Sequence, residues 1–294
     1  WDNIYEPIYL SKKIQKTQVN EKSLYKKYIF PKIGALKIYE ITPADIERLK
    51  DYLFSPALRA NGEEKCLAPA TVNHILDVIR QVFNSGINAG KFLNTNPASK
   101  VKRIKKDNRR IRFLSKEEIQ ELLDTLALMT NSPLHDICLL SLDTGLRANE
   151  IFSLEWMDVN FETKTLSIRD PKGIINRYAN MTNKVYEMLI QRKNTVAVSS
   201  YVFTNTKGEK IKEISNQFDR VVAKLGFNDN ITDTRNKVVF HTLRHTFASR
   251  LAMGGVDVYT IKELMGHSDI KMTMRYMHLA PKKFQEAISV IEAD

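Results

Sequence analysis

Apolar residues recur at helical spacing through the first third of the chain. The clearest stripe begins near residue 70 and comprises Val72, Ile75, Leu76, Ile79, Val82 and Phe83. Another helix is predicted to begin at Thr42, a residue type that caps helix starts, with Pro43 in the first helical position. Because these apolar faces need a common core, residues 1–98 are predicted to form a small helical domain.

Helical periodicity continues through residues 113–294, which are predicted to form a second domain. Ser115 followed three residues later by Glu118 is the sequence pattern of a capping box, in which each side chain bonds the other residue's backbone amide. Helices are predicted at 115–129, 133–143, 147–154, 183–192, 215–225, 242–253, 257–265 and 270–278.

Strand-like spacing interrupts this pattern once. Residues 165–168 are followed by a turn at 171–173 and by a second apolar stretch through Tyr178 and Met181. This arrangement predicts a β-hairpin with Lys172 at or beside its tip. The expected fold class is therefore α+β, mainly α-helical with a small hairpin or sheet.

Positive charge is concentrated in one segment of a chain whose net charge is +11 and whose pI is near 9.4. This basic segment, residues 99–112, contains Lys100, Lys102, Arg103, Lys105, Lys106, Arg109, Arg110 and Arg112. It follows a helix-stopping stretch at 94–97 and precedes the helix start at Ser115, so a linker between domains is predicted. A solvated basic loop is the alternative. We expect these cations to contact DNA phosphates, because each neutralised phosphate releases counterions.

Several other function classes are disfavoured. No apolar run is long enough to span a bilayer, and residues 1–3 do not begin a secretory signal, so a cytoplasmic, DNA-associated protein is expected. Cys66 and Cys138 are expected to be reduced thiols. The chain has neither a phosphate-binding GxxxxGK[ST] loop nor a carboxylate cluster suited to Mg²⁺, so no cofactor or metal is expected.

Residue pairs at helical spacing suggest phosphate chemistry. His241 and Arg244 share one helix face, where a guanidinium can bind phosphate oxygens while an imidazole donates a hydrogen bond or moves a proton. His245 lies four residues after His241 and could form a zinc pair with it, but the intervening cation argues against a divalent ion. Two polar residues with purely structural roles are the alternative.

Two further helix junctions carry candidate residues. Arg147 follows Gly145 at a helix start, which is unfavourable for a cation unless an anion lies near, and Glu150 can hold it in place. His267 follows Gly266 at a helix end, and Tyr276 lies in the next predicted helix. Each of these features alone is common in helical proteins.

Their order along the chain resembles the signature of the tyrosine recombinase, or phage integrase, family. The matching segments are Thr144–Arg147, His241–His245, Gly266–His267 and Arg275–His278, and the similarity extends over the whole region from Phe113 onward. Residues 1–98 resemble that family's core-binding domain more loosely, around residues 16–17 and 31–34. The resemblance implies a two-domain DNA clamp with a helical core-binding domain, a catalytic domain and no cofactor.

The resemblance also implies a role for each site residue. Tyr276 would attack the scissile phosphate and form a 3′-phosphotyrosine bond, while Arg147 and Arg244 would hold the nonbridging oxygens. His241 and His267 would donate hydrogen bonds, with His241 a candidate acceptor of the tyrosine proton. Lys172 would protonate the departing 5′ oxygen, Lys164 and Lys184 being the alternatives, and Glu150 would support Arg147.

The implied function is site-specific DNA recombination of a mobile element. Its expected partners are a double-stranded recombination site, an accessory DNA-bending protein and three further copies of the chain, which would form a tetramer on two duplexes with a Holliday junction intermediate. DNA relaxation like that of a type IB topoisomerase and a catalytically silent DNA-binding regulator are the alternatives. An apolar stripe at Phe284, Ala287, Ile288 and Ile291 is predicted to dock on a neighbouring subunit or, alternatively, on its own domain.

Overall fold

The computed structural model describes residues 1–58, 64–105, 112–129, 132–169, 175–195, 199–214 and 216–281. The chain divides into two compact units, Trp1–Asn108 and Arg109–Asp294. The predicted boundaries of a domain at 1–98, a linker at 99–112 and a domain at 113–294 stay a prediction.

The first unit is a helical bundle. Its α-helices are α1 (Gln15–Leu24), α2 (Phe30–Ile33), α3 (Pro43–Phe54) and α4 (Pro69–Asn88), with π-helical turns at Tyr5–Tyr9 and Tyr25–Ile29, 3₁₀ turns at Leu10–Lys12 and Pro97–Ser99, and a short antiparallel pair, β1 (Ala57–Leu58) and β2 (Glu64–Lys65). The apolar stripe predicted on α4 lies in one buried cluster with residues of α2 and α3, except for Val82, which is half-buried. Thr42 caps α3 through a reciprocal bond with Asp45, which confirms the predicted helix start.

The first residues of the basic segment pack on this bundle. Val101 is buried in its core, and Ile104 exchanges backbone-to-side-chain hydrogen bonds with Asn73 on α4. Arg103 pairs with Asp77 at 2.7 Å. This packing leaves Lys100, Lys102 and Lys105 exposed on the surface of the first unit.

The second unit surrounds the buried helix α6. Its elements are α5 (Lys116–Ala127), α6 (Leu134–Thr144), α7 (Ala148–Phe152), a 3₁₀ turn (Trp156–Asp158), β3 (Val159–Asn160), β4 (Thr165–Arg169), β5 (Ile175–Asn180), α8 (Asn183–Thr195), α9 (Asn216–Lys224), α10 (Phe240–Met253), α11 (Val258–Met265), α12 (Lys271–Met274) and a 3₁₀ turn (Met277–Leu279). Ser115 and Glu118 form the predicted capping box on α5. The fold class is confirmed as mainly helical with a small three-stranded sheet beside the helices.

The sheet is antiparallel, with strand order β3-β4-β5, and packs on the core of the second unit. Leu166 on β4 pairs with Ala179 on β5, and both side chains are buried. The register shifts between Ile168 and Arg169, next to the hairpin turn. The turn itself, including Lys172, lies outside the described residues.

A smaller apolar cluster holds the end of the described chain. It contains Ala248 and Ala252 of α10, Ile261 and Met265 of α11, and Tyr276. This cluster places Tyr276 beside the helix that carries His241 and Arg244.

Among the described residues, none of the helices combines the length and apolar character needed to cross a membrane.

Candidate active site

The junction between α6 and α7 positions the first cationic side chain. Gly145 ends α6 at φ +67°, and a Cβ at this position would lie 2.5 Å from Cδ1 of Phe247. The chain then turns so that Arg147 is the N-cap of α7. Glu150 accepts hydrogen bonds from the backbone amide and from Nη1 of Arg147, both at 2.8 Å. One carboxylate therefore fixes both the backbone and the guanidinium of Arg147.

The second guanidinium, that of Arg244 on α10, is almost completely buried at 2% exposure. It donates hydrogen bonds to the carbonyl oxygens of Gly145 and Met265, at the ends of α6 and α11. Burial, together with the charge of Arg147, lowers the pKa of Arg244 to about 10. The side chain nevertheless remains cationic at neutral pH.

Arg147 reaches the same helix end as Arg244. Its Nη2 donates to the carbonyl oxygen of Gly266 at 3.4 Å, one residue beyond the Arg244 acceptor Met265. Two cations thus converge where α6, α7, α10 and α11 meet, and Glu150 is the carboxylate they share. An excess of positive charge at a partly buried site favours a bound anion such as a phosphodiester.

His267 lies next to these cations and is held in one orientation. Its Nδ1 is 2.9 Å from Oγ1 of Thr273, and the residue is 7% exposed. Burial, followed by the charges of Arg244 and Arg147, lowers the pKa of His267 to about 4. The ring is therefore neutral at pH 7 and can offer an N–H to a phosphate oxygen without a positive charge of its own.

Tyr276 lies between α12 and the last 3₁₀ turn and is 6% exposed. Its Oη is 2.5 Å from Nδ1 of His245 on α10. Burial raises the pKa of Tyr276, although Arg275 and Arg244 oppose that shift. The phenol is consequently protonated at neutral pH and in contact with a group that can accept its proton.

The structure thus gathers Arg147, Arg244, His267, Tyr276 and the supporting Glu150 around the ends of four helices. His241 is exposed on α10, and its ring lies 4.8 Å from the ring of His245. Lys172 lies outside the described residues. Of its alternatives, Lys184 is exposed, while Lys164 bonds Oδ1 of Asn183 at 3.0 Å and lies over the ring of Tyr186.

The predicted DNA-binding cations lie in varied surroundings. Lys106, Arg109 and Arg110 are outside the described residues. Arg112 is half-buried and pairs with Glu118 at the start of α5, so it is engaged within the second unit.

Two residues of the site were not predicted from the sequence. His245 belonged to a matching segment and was weighed as half of a zinc pair with His241, but it was given no catalytic role, and Arg177 was not considered at all. Arg177 lies on β5 and donates to Oε2 of Glu150 at 3.0 Å.

Within the described part of the chain, no cluster of three or more His, Cys, Asp or Glu side chains is arranged to hold a metal ion.

This site is suited to binding a phosphodiester, and comparison with known sequences shows the family to which the chain belongs. A sequence profile described as the phage integrase family matches residues 112–283, more than half of the chain. The chain belongs to the phage integrase family.

Individual relatives carry names of the same kind. A putative integrase of Pseudomonas phage Pf1 is 31% identical over 222 residues, which cover 76% of this chain and 61% of the relative. A XerC-like tyrosine recombinase of Caldanaerobacter subterraneus subsp. tengcongensis is 27% identical over 98% of this chain and 80% of its own length. The chain spans about three fifths of the length of the Pf1 integrase and of the integrase of Escherichia phage 186.

Solved structures share the fold. The Tn1549 transposon integrase in complex with a circular intermediate DNA has a TM-score of 0.73 and 19% identity, covering 96% of this chain and 95% of that one. A lambda integrase dimer bound to a COC′ core site has a TM-score of 0.64 and 20% identity, covering 93% and 75%. These likenesses show that the chain shares the fold of those two integrases.

Proposed function

We propose that this chain cleaves and rejoins DNA at a specific site, through a covalent bond to Tyr276, and so performs site-specific recombination of a mobile element. The observation that carries the proposal is the meeting of two guanidinium groups, Arg147 and Arg244, beside a buried tyrosine whose phenol already contacts an imidazole. Family membership supports the same reaction, and the relatives' names favour strand exchange over topoisomerase-like relaxation or a silent regulator.

The proposed chemistry is a transesterification. Oη of Tyr276 attacks the scissile phosphorus, its proton passes to Nδ1 of His245, and the bond from phosphorus to the 5′ oxygen breaks. The resemblance gave this acceptor role to His241, whereas His245 is the histidine in contact with the phenol. In the reverse step, the 5′ hydroxyl attacks and the tyrosine regains its proton.

Electrostatic stabilisation comes from the neighbouring side chains. Arg147 and Arg244 bind the nonbridging oxygens, on which negative charge grows in the transition state. His267 and His241 donate further hydrogen bonds. Lys172, or failing it Lys164 or Lys184, supplies the proton to the leaving 5′ oxygen.

The proposed partner is a double-stranded recombination site, in keeping with the DNA bound by the Tn1549 and lambda integrases in their structures. The domains at 1–98 and 113–294 would both contact it, with the basic segment 99–112 following the phosphate backbone. Strand exchange requires four copies of the chain on two duplexes and passes through a Holliday junction. An accessory DNA-bending protein would help to assemble that complex, and the stripe at 284–291 would link subunits.

The test is a covalent adduct. The parent chain, Tyr276→Phe and the control Tyr259→Phe, which removes the hydroxyl of an exposed tyrosine in the same unit, are incubated with sheared DNA from the source organism. Adducts that survive boiling in detergent are expected from the parent and the control, and not from Tyr276→Phe. Sequencing the trapped DNA then gives the target site.

Other outcomes contradict the proposal. Adducts from Tyr276→Phe would mean that another tyrosine is the nucleophile. Salt-sensitive DNA binding without any adduct from the parent would favour a silent regulator.

A further inference from the structure

A third guanidinium, that of Arg177 on β5, lies behind the pair of cations at the site. Its side chain is 13% exposed, and its Nη2 bonds Oε2 of Glu150 at 3.0 Å. The same carboxylate holds Arg147, and its Oε2 is 4.0 Å from Nη1 of Arg244. Three cations therefore surround one anion, which leaves net positive charge for a phosphate.

Arg177 is useful because Arg147 and Arg244 face the same carboxylate, that of Glu150. A carboxylate facing two guanidinium groups would pair with both and reduce their attraction for an incoming phosphate. Because Arg177 donates to Oε2, Glu150 stays engaged on that side and Arg244 keeps its carbonyl partners Gly145 and Met265. The charge of Arg177 also contributes to the lowered pKa of Glu150, against the effect of burial, which raises it.

The backbone at Gly266 is shaped around Arg177. A Cβ at Gly266 would lie 2.3 Å from Nε and 2.7 Å from Cδ of Arg177, and the residue has a φ of +60°. The carbonyl oxygen of this glycine is also the acceptor for Arg147. Gly266 thus contacts both arginines that bind Glu150.

One hydrogen-bond donor of Arg177 is left unsatisfied by the described part of the chain. Its Nε is buried and has no hydrogen-bond partner among the described residues. A buried donor without a partner costs free energy, so a purely structural role is a poor explanation of this side chain.

We propose that Arg177 is a positioning residue for phosphate binding: it holds Glu150 so that Arg147 is oriented while Arg244 stays available to the phosphate. The inference rests on the proposed function for its catalytic consequence. Its binding consequence can be measured without DNA cleavage.

Binding of a phosphate mimic is the deciding measurement. Tungstate is titrated into the parent, Arg177→Gln, Arg177→Lys and the control Arg250→Gln, which removes the 3.2 Å Arg250–Asp143 pair in the same unit. The arginine Nε–Hε resonances report occupancy. We expect roughly tenfold weaker tungstate binding for Arg177→Gln, little change for the control, and partial rescue by lysine because it keeps the charge.

Single-turnover adduct formation on the DNA site recovered with the parent extends the test. Arg177→Gln is expected to react roughly 10- to 100-fold more slowly because misplaced catalytic groups lose rate steeply, while DNA affinity stays within about twofold. Tungstate affinity equal to that of the parent in Arg177→Gln would overturn the inference. Tungstate binding that depends on Arg177, in a parent chain that forms no adduct, would uphold the positioning role and count against the proposed function alone.

Gly266 gives an independent arm. Gly266→Ala should displace Arg177 and weaken tungstate binding, whereas Gly208→Ala, at φ +77° with no atom within 4 Å of its Cβ, controls for backbone strain. If the two residues act together, the double variant Arg177→Gln with Gly266→Ala loses much less affinity than the product of the single losses. Fully multiplicative losses would contradict the coupling.

Discussion

In the proposed reaction, Tyr276 needs His245 as the acceptor of its proton. A buried phenol with a raised pKa is a poor nucleophile until its proton is removed. The 2.5 Å contact supplies an acceptor, and the charges of Arg275 and Arg244 favour the phenolate that forms. Proton transfer and attack can therefore occur without a further search for a base.

Replacing His245 tests this pairing. His245→Asn keeps a polar group near the position of Nδ1 but removes its basicity, so adduct formation at pH 7 should fall by roughly 100-fold or more. Raising the pH should restore part of the rate, because hydroxide can then remove the proton. His135→Asn, another histidine of the same unit, is the control. An unchanged rate for His245→Asn across the pH range would eliminate His245 as acceptor.

The lowered pKa of His267 predicts how the stability of the folded protein changes with pH. Its pKa is about 4 in the folded protein because of burial and the neighbouring arginines, against about 6.5 in the unfolded chain. Between these values the unfolded state binds a proton that the folded state does not, so stability is full above pH 6.5 and falls as the pH is lowered toward 4. The loss attributable to His267 at pH 5 is on the order of 2 kcal/mol.

Denaturant unfolding at pH 7.5 and pH 5 measures this effect. The parent should lose more stability between the two pH values than His267→Gln, which cannot titrate. An equal loss in both proteins would show that His267 does not have the lowered pKa.

At the level of helices and strands, long periodic segments were predictable and short ones were not. The helices at 183–192 and 257–265 were predicted close to the observed α8 and α11, because several turns of amphipathic pattern define them. The hairpin strands β4 and β5 were also foreseen. The two-residue strand β3 and the adjacent 3₁₀ turn are too short to show any period, and they were missed.

The predicted helix at 270–278 is confirmed only over Lys271–Met274. α12 ends at Met274, and the backbone amide of Tyr276 bonds the carbonyl of Thr273 at 3.0 Å, a tighter turn than an α-helix. Packing against Ala248 and Ile261 accompanies this change. A helical sequence pattern does not reveal such a break, because the deciding contacts come from distant residues.

The same limit applied to the site. Arg147, Arg244, His267 and Tyr276 could be proposed because short motifs mark them. Arg177 and His245 contact partners 27 and 31 residues away, on other elements, and no local spacing indicates those contacts. Only the folded arrangement brings Arg177 to Glu150.

At the scale of the whole molecule, the net charge of +11 predicts that DNA binding weakens steeply as the salt concentration rises. The exposed lysines Lys100, Lys102 and Lys105 are the described cations of the basic segment expected to meet phosphates. Replacing all three with alanine should reduce the slope of log affinity against log salt by up to about 2.7, at about 0.9 for each lost contact.

The slope is measured by fluorescence anisotropy on a labelled DNA duplex. A salt range of about 50 to 200 mM suits the measurement, because affinity changes steeply over it. The matched control replaces three other exposed lysines, Lys207, Lys212 and Lys224. If the control set lowers the slope more than the basic segment does, DNA lies elsewhere on the molecule.

Substitutions of neighbouring residues should affect the position of Arg147 more than that of Arg244. Arg244 is held by the carbonyls of Gly145 and Met265, and main-chain atoms are present whatever side chain a codon specifies. Arg147 relies on the Glu150 carboxylate, which one nucleotide change can delete. Random mutagenesis should therefore find apolar replacements of similar volume tolerated at the buried Met265, and few replacements tolerated at Glu150. The two arginines proposed to bind phosphate therefore differ in mutational robustness although their proposed task is shared.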